Sequence, residues 1–147
     1  MTPKDIHSTD AIDAISSLTQ GAPLCAEQAI FEINENGEWF YRGETLPVKF
    51  CKLFSTILNR VDGEYFLITP VEKLRVTVAK QALIIVDYQP YDEAGFWLKT
   101  SINSEHSIKD FEPFFVDEDC ISLTLERGVE ARLNRACYYR FIDAFIV

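Results

Sequence analysis

The chain has 147 residues, 48% of them hydrophobic and 13% aromatic, which makes it globular rather than disordered. Lys and Arg number 14 against 23 Asp and Glu, a formal charge of −9. That balance argues against a nucleic-acid polymer as partner, since such binding needs many cationic phosphate contacts, and against an anionic membrane surface.

Residues 1–21 read as a mobile N-terminal segment with a short helix over Asp10–Leu18, capped by Ser8 or Thr9 and ended by Gly21-Ala22-Pro23. It has no apolar signal core, and no run approaches a membrane span, so the expected location is cytoplasmic.

From Ile30 the pattern sharpens. Phe31 and Ile33 alternate with Glu32 and Asn34, as in a half-buried strand. Asn34 to Gly37 supplies a turn, and Trp39, Phe40 and Tyr41 form a second strand broken by Gly43. Pro47 sits where a helix can begin. Phe50, Phe54, Ile57, Leu58 and Val61 then recur at helical spacing, with Lys49, Lys52, Ser55, Asn59 and Arg60 opposite. The spacing predicts one helix ended by Asp62-Gly63, and a return strand over Tyr65–Thr69.

Leu74, Val76 and Val78 alternate with polar residues, and Leu83–Val86 is continuously apolar, as in a strand covered on both faces. Pro90 and Asp92–Gly95 read as a turn before a strand over Phe96–Thr100. Ser101–Asp119 is the least regular part, ending in an acidic loop at Asp117, Glu118 and Asp119. Ile121–Leu125, a turn at Arg127-Gly128 and Val129–Leu133 follow as strands. The last helix has Leu133, Cys137, Phe141 and Phe145 on one stripe.

Strand, glycine turn, strand and helix therefore occur twice. The fold class is α+β: a duplicated strand-turn-strand-helix core whose second half is a strand-rich part-barrel closed by the C-terminal helix. The divisions are 22–72 for the hairpin-helix-strand half and 73–147 for the strand-rich half.

Cys25, Cys51, Cys120 and Cys137 form no CxxC, and His7 and His106 are far apart, so no zinc site or other cofactor is expected. Cys51 and Cys137 read as buried, reduced thiols. There is no GxxxxGK, GxGxxG or GxSxG motif. Two histidines offer little for acid–base work, and His106 reads as a surface loop residue. An enzyme acting through its carboxylates is the weakest of the functional readings.

The segments GEWFYRG, DGEYFLITPVEK and RGVEARLNRACYYRFID resemble the bacterial family known as domain of unknown function 1285. The likeness runs from about Ile30 to the end. It departs from the family pattern in RVTVAKQALIIV and is loose over Thr100–Ile108. The resemblance implies a duplicated core, a C-terminal part like a pleckstrin-homology fold, a site for a nucleotide-like molecule between the halves, and a role in signal transduction.

On the residues, Thr69 and Lys73 belong to the TPVEK segment, and Glu130, Arg132 and Arg135 to the GVEARLNR segment. Arg127, Arg132, Arg135 and Arg140 are a basic group in an acidic chain. Guanidinium forks suit phosphate or carboxylate. One reading has Lys73, Arg132 and Arg135 holding an anion, with Thr69 and Glu130 orienting it. The other makes Glu72, Lys73, Glu130 and Arg132 cross-strand ion pairs. The alternative function is a protein-interaction module with a pleckstrin-like fold, presenting Tyr88 or Trp97.

Overall fold

A computed structural model describes residues 10–15, 30–91, 95–109, 113–117 and 119–146. The expected cap at Ser8 or Thr9, the stop at Gly21–Pro23, Cys25, residues 92–94 and Glu118 lie outside them. The chain divides after Ala79 into two compact units. The expected division at 72/73 falls one strand earlier, because the strand over Lys73–Val78 pairs within the first sheet.

In the first unit, residues 10–15 are helical (α1), with Ala11 and Ile15 buried. A six-stranded sheet follows, built from β1 (Phe31–Ile33), β2 (Trp39–Tyr41), β3 (Glu44–Thr45), β4 (Leu58–Val61), β5 (Glu64–Ile68) and β6 (Lys73–Val78) in the order β3-β2-β1-β6-β5-β4. Only β1 and β6 are parallel; every other neighbouring pair is antiparallel. The Asn34 side chain sets the first turn, its Oδ1 accepting from Asn36 N and Glu38 N at 2.9 Å. Arg42 and Gly43 both have positive φ and turn the chain straight back into β3, so Gly43 closes a hairpin.

The helix α2 spans Val48–Ser55, shorter than the spacing predicts. Leu58–Val61 is β4, and Asp62 (φ 53) with Gly63 (φ 81) forms a two-residue hairpin turn that sets Val61 opposite Glu64. Turns with two positive φ angles match the twist of paired strands, which favours hairpin over helix here. Ser55, expected on the polar side, is buried, its hydroxyl donating to Lys52 O at 2.7 Å. Phe54 anchors α2 on the sheet, 5.7 Å from the Phe31 ring in a T-shaped contact. Cys51 is buried and in no disulfide, its Sγ donating to the Leu46 carbonyl at 3.6 Å; burial pushes its thiol up to about 11.

The second unit holds β7 (Leu83–Tyr91), β8 (Gly95–Thr100), β9 (Glu105–Ile108), β10 (Phe114–Val116), β11 (Ile121–Thr124) and β12 (Glu130–Leu133), ordered β10-β11-β12-β7-β8-β9. Again only the central pair, β12 with β7, is parallel. Leu83, Ile84 and Ile85 are buried as expected, but Val86 is exposed because the register shifts between Ile85 and Asp87. Pro90 is part of β7, opposite Phe96, rather than a turn residue. Beyond Ile85 β12 no longer pairs with β7, so one side of that strand can carry a residue without an N–H. The stretch read as irregular contains β9 and β10. They are held by pairing with β8 and β11 rather than by an apolar pattern of their own.

This sheet curls into a half-barrel. Phe96 on β8 and Phe114 on β10 are four positions apart in the strand order, yet their rings lie 5.8 Å apart. The helix α3 (Arg135–Phe141) fills the curl with Phe141, which lies 6.1 Å from Tyr88, 6.3 Å from Phe96 and 5.1 Å from Phe114. Asn134 caps α3, its Oδ1 accepting from Cys137 N at 2.9 Å. Leu133, placed on the helical stripe by sequence, is the buried end of β12. The chain continues past Phe141 as a wider π turn over Ile142–Ile146, which leaves Phe145 43% exposed. Two six-stranded sheets with helices, the second curled round its last helix, make the fold the duplicated α+β type the pattern implies. No described helix is long and apolar enough to cross a membrane.

Candidate ligand site

Thr69 and Lys73 belong to the first unit. Thr69 is buried, and its hydroxyl oxygen accepts from Glu72 N at 2.9 Å and Val71 N at 3.3 Å. The TPVEK segment is thus the turn between β5 and β6. Lys73 lies opposite Ile68, its Nζ 4.3 Å from the Phe66 ring centre. Arg75 covers the same ring at 5.1 Å and bonds the Glu64 carboxylate.

Glu130, Arg132 and Arg135 belong to the second unit. Glu130 and Arg132 are half-buried on one face of β12, alternating with buried Ala131 and Leu133. Arg132 Nη1 donates to Gln81 Oε1 at 3.2 Å. Arg135 opens α3, donates to the Tyr139 hydroxyl at 3.3 Å and lies 5.7 Å from that ring. Arg127, at φ 61, sits 4.0 Å from Glu126. The four arginines of the basic segment therefore hold different partners. Five residues apart on a helix, Arg135 and Arg140 point about 140° away from each other.

Arg140 lines a cleft. The cleft has a volume of about 430 Å³ and is walled by Tyr88, Pro90, Arg140, Asp143, Ala144 and Phe145. That volume is in the range of small-molecule sites. Arg140 Nη1 donates to Asp87 Oδ1 at 3.1 Å and Nη2 to the Tyr88 carbonyl at 3.0 Å. The guanidinium lies 4.4 Å above the Tyr88 ring. Its hydrogen bond to Asp87 raises the Arg140 pKa further, so it stays charged. Burial raises the Tyr88 phenol pKa, keeping that ring neutral. Two hydrogen bonds and a ring fix the guanidinium's plane, while its side chain stays 53% exposed. Phe145 and Pro90 add apolar wall, and Asp143 an exposed carboxylate. Such a cleft can take a flat ring against Phe145 and an anionic group at Arg140. The sequence singles out Arg140 but not the cleft, because Tyr88 and Pro90 reach it from a strand about fifty residues earlier. Tyr88, offered as an exposed interaction residue, is buried, and Trp97 is half-buried.

His106 is also not a surface loop residue. It lies on β9 with its side chain 9% exposed. Its Nδ1 is 2.8 Å from Glu126 Oε1 and its Nε2 3.0 Å from Ser104 Oγ, which is 2.6 Å from Thr100 Oγ1. The hydrogen bond from His106 holds the Glu126 carboxyl down at about 2. Serine, histidine and carboxylate follow one another as in a nucleophilic triad. Ser104, however, is 6% exposed and shares its hydroxyl with Thr100. The chain is a clasp joining the β8–β9 loop to the turn before β12. Among the described residues no three His, Cys, Asp or Glu side chains gather as a metal site.

No curated protein matches the chain. A family model described as domain of unknown function (DUF1285), N-terminal domain, matches residues 18–81. The crystal structure of a DUF1285 family protein from Shewanella baltica OS155 is similar at 45% identity and a TM-score of 0.76, over 81% of this chain and 94% of that one. A DUF1285 family protein from Silicibacter pomeroyi DSS-3 shares the fold, with 24% identity and a TM-score of 0.67 over 79% of this chain and 69% of that one. On the Shewanella likeness and the family model together, the chain belongs to the DUF1285 family.

Proposed function

We propose that the protein is a small-ligand-binding module in signal transduction, taking a nucleotide-like molecule. The observation that carries this reading is the cleft of about 430 Å³ in which Arg140 is held rigid over Tyr88 beside exposed Phe145. A phosphate meets the free edge of the guanidinium, a base lies on Phe145, and Asp143 accepts from a ribose hydroxyl or ring amine.

Thermal shift with adenine and guanine mono- and diphosphates tests it. Ligand at 100 times Kd stabilises by about 2.7 kcal/mol. The effect disappears in Asp143→Asn, whose exposed side chain contributes little to folding, and in Phe145→Ser and Arg140→Gln. Stabilisation that survives these changes but is lost in Arg132→Gln or Arg135→Gln moves the ligand to the sequence-derived set of Thr69, Lys73, Glu130, Arg132 and Arg135. No stabilisation by any of the nucleotides overturns the reading.

A further inference from the structure

Among the described residues the second sheet ends in two edge strands of opposite character. The β9 edge, Glu105 to Ile108, carries a carboxylate, a histidine and a serine, and two of its residues are half-buried. The β10 edge is Phe114-Phe115-Val116, with Phe115 66% and Val116 46% exposed. Soluble proteins blunt sheet edges with charge, proline or cover, because an open edge templates another strand. None of the three β10 residues is charged or proline.

The register shows which backbone groups face outward. Thr124 N donates to the Pro113 carbonyl at 3.2 Å and Asp117 N to the Cys120 carbonyl at 2.8 Å, so residues 113, 115 and 117 face β11. By the alternation of an antiparallel ladder, the amide and carbonyl of Val116 face away from it. Just past the strand, Asp117 and Asp119 are exposed. The carboxylates and the net charge of −9 disfavour a second copy of this chain and favour a cationic partner.

We infer that β10 is a docking edge for an extended segment of another protein, with alternating apolar residues flanked by Lys or Arg. The segment adds a strand beyond β10, pairs with the outward backbone at Val116 and covers Phe115, and its flanking cations meet the exposed Asp119.

The test uses a fluorescein-labelled peptide of alternating valine and threonine with two lysines at each end, added to the full chain and followed by anisotropy. Val116→Pro removes the outward N–H without touching the β10–β11 ladder, and Phe115→Lys places a charge on the edge. Each weakens binding at least tenfold, whereas Asp143→Asn in the cleft leaves it unchanged. A peptide with glutamates in place of the lysines binds at least tenfold more weakly. Absent binding, binding indifferent to both edge variants, or equal affinity for the acidic peptide overturns the proposal. So does dimerisation by light scattering that Phe115→Lys abolishes, which assigns the edge to a second copy.

Discussion

The two units solve one problem with the same strands and a differently placed helix. In each, three strands run as a meander, three more run as a second meander, and the first and last strands pair in parallel at the centre. In the first unit α2 lies between the meanders; in the second α3 follows both. Each helix carries a buried cysteine and a buried phenylalanine, Cys51 with Phe54 and Cys137 with Phe141. Phe54 packs on Phe31 of the first strand, and Phe141 on Tyr88 of the strand that opens the second sheet. The sheet's apolar face therefore requires an aromatic anchor, and the helix supplies it from either place in the chain. Placement after the last strand lets α3 gather rings from β7, β8 and β10 together and roll that sheet into a half-barrel.

The largest effect should come from removing the anchors. Phe54→Ala and Phe141→Ala each cost about 3–5 kcal/mol, the usual penalty for a buried ring. Trp39 belongs to the first unit and Trp97 to the second, so in denaturant Phe54→Ala shifts the Trp39 fluorescence transition and Phe141→Ala the Trp97 transition. Equal shifts of both probes in both variants would show that the units unfold as one.

A smaller effect separates the helix starts. Asn134→Ala removes the α3 cap and costs about 1 kcal/mol. The residue before α2, Pro47, makes no side-chain cap, so Pro47→Ala removes no such bond. Circular dichroism melts of the two variants measure the contrast.

The smallest concerns the clasp, which the first unit lacks among its described residues. The Glu126 carboxyl has a folded pKa of about 2 against an ordinary 4.5. A depressed carboxyl contributes stability above its unfolded value and loses it as pH falls through the folded one. The clasp thus weakens between about pH 4.5 and 2, and Glu126→Gln flattens that part of the Trp97-detected stability profile. With Glu126 half exposed, the contribution at neutral pH stays below about 1 kcal/mol.

Much of this architecture is legible in the residues. Alternation finds β1, β6, β11 and β12, aromatic residue types find β2, the turn signals before them place β5 and β8, and the stripe from Cys137 to Phe141 finds α3. The misreading of β4 is instructive: Ile57, Leu58 and Val61 satisfy a helical period, and only the Asp62-Gly63 pair marks the hairpin that captures them. Short strands such as β9 have no pattern because their neighbours' backbones define them. For the candidate site, arginine content draws attention to residues 127–140. It does not separate Arg140, fixed by Asp87 and Tyr88, from Arg132, bonded to Gln81. That difference arises where distant stretches meet.

The parallel seam at the centre of each sheet bears on how the protein is made. Phe31 must wait for Val76 and Leu83 for Ala131, so a nascent chain can assemble the first meander of each unit early but cannot seat the second against it until the last strand emerges. Until then, the strand that opens each sheet, destined for its middle, is a bare margin, and in that interval each unit is most open to mispairing.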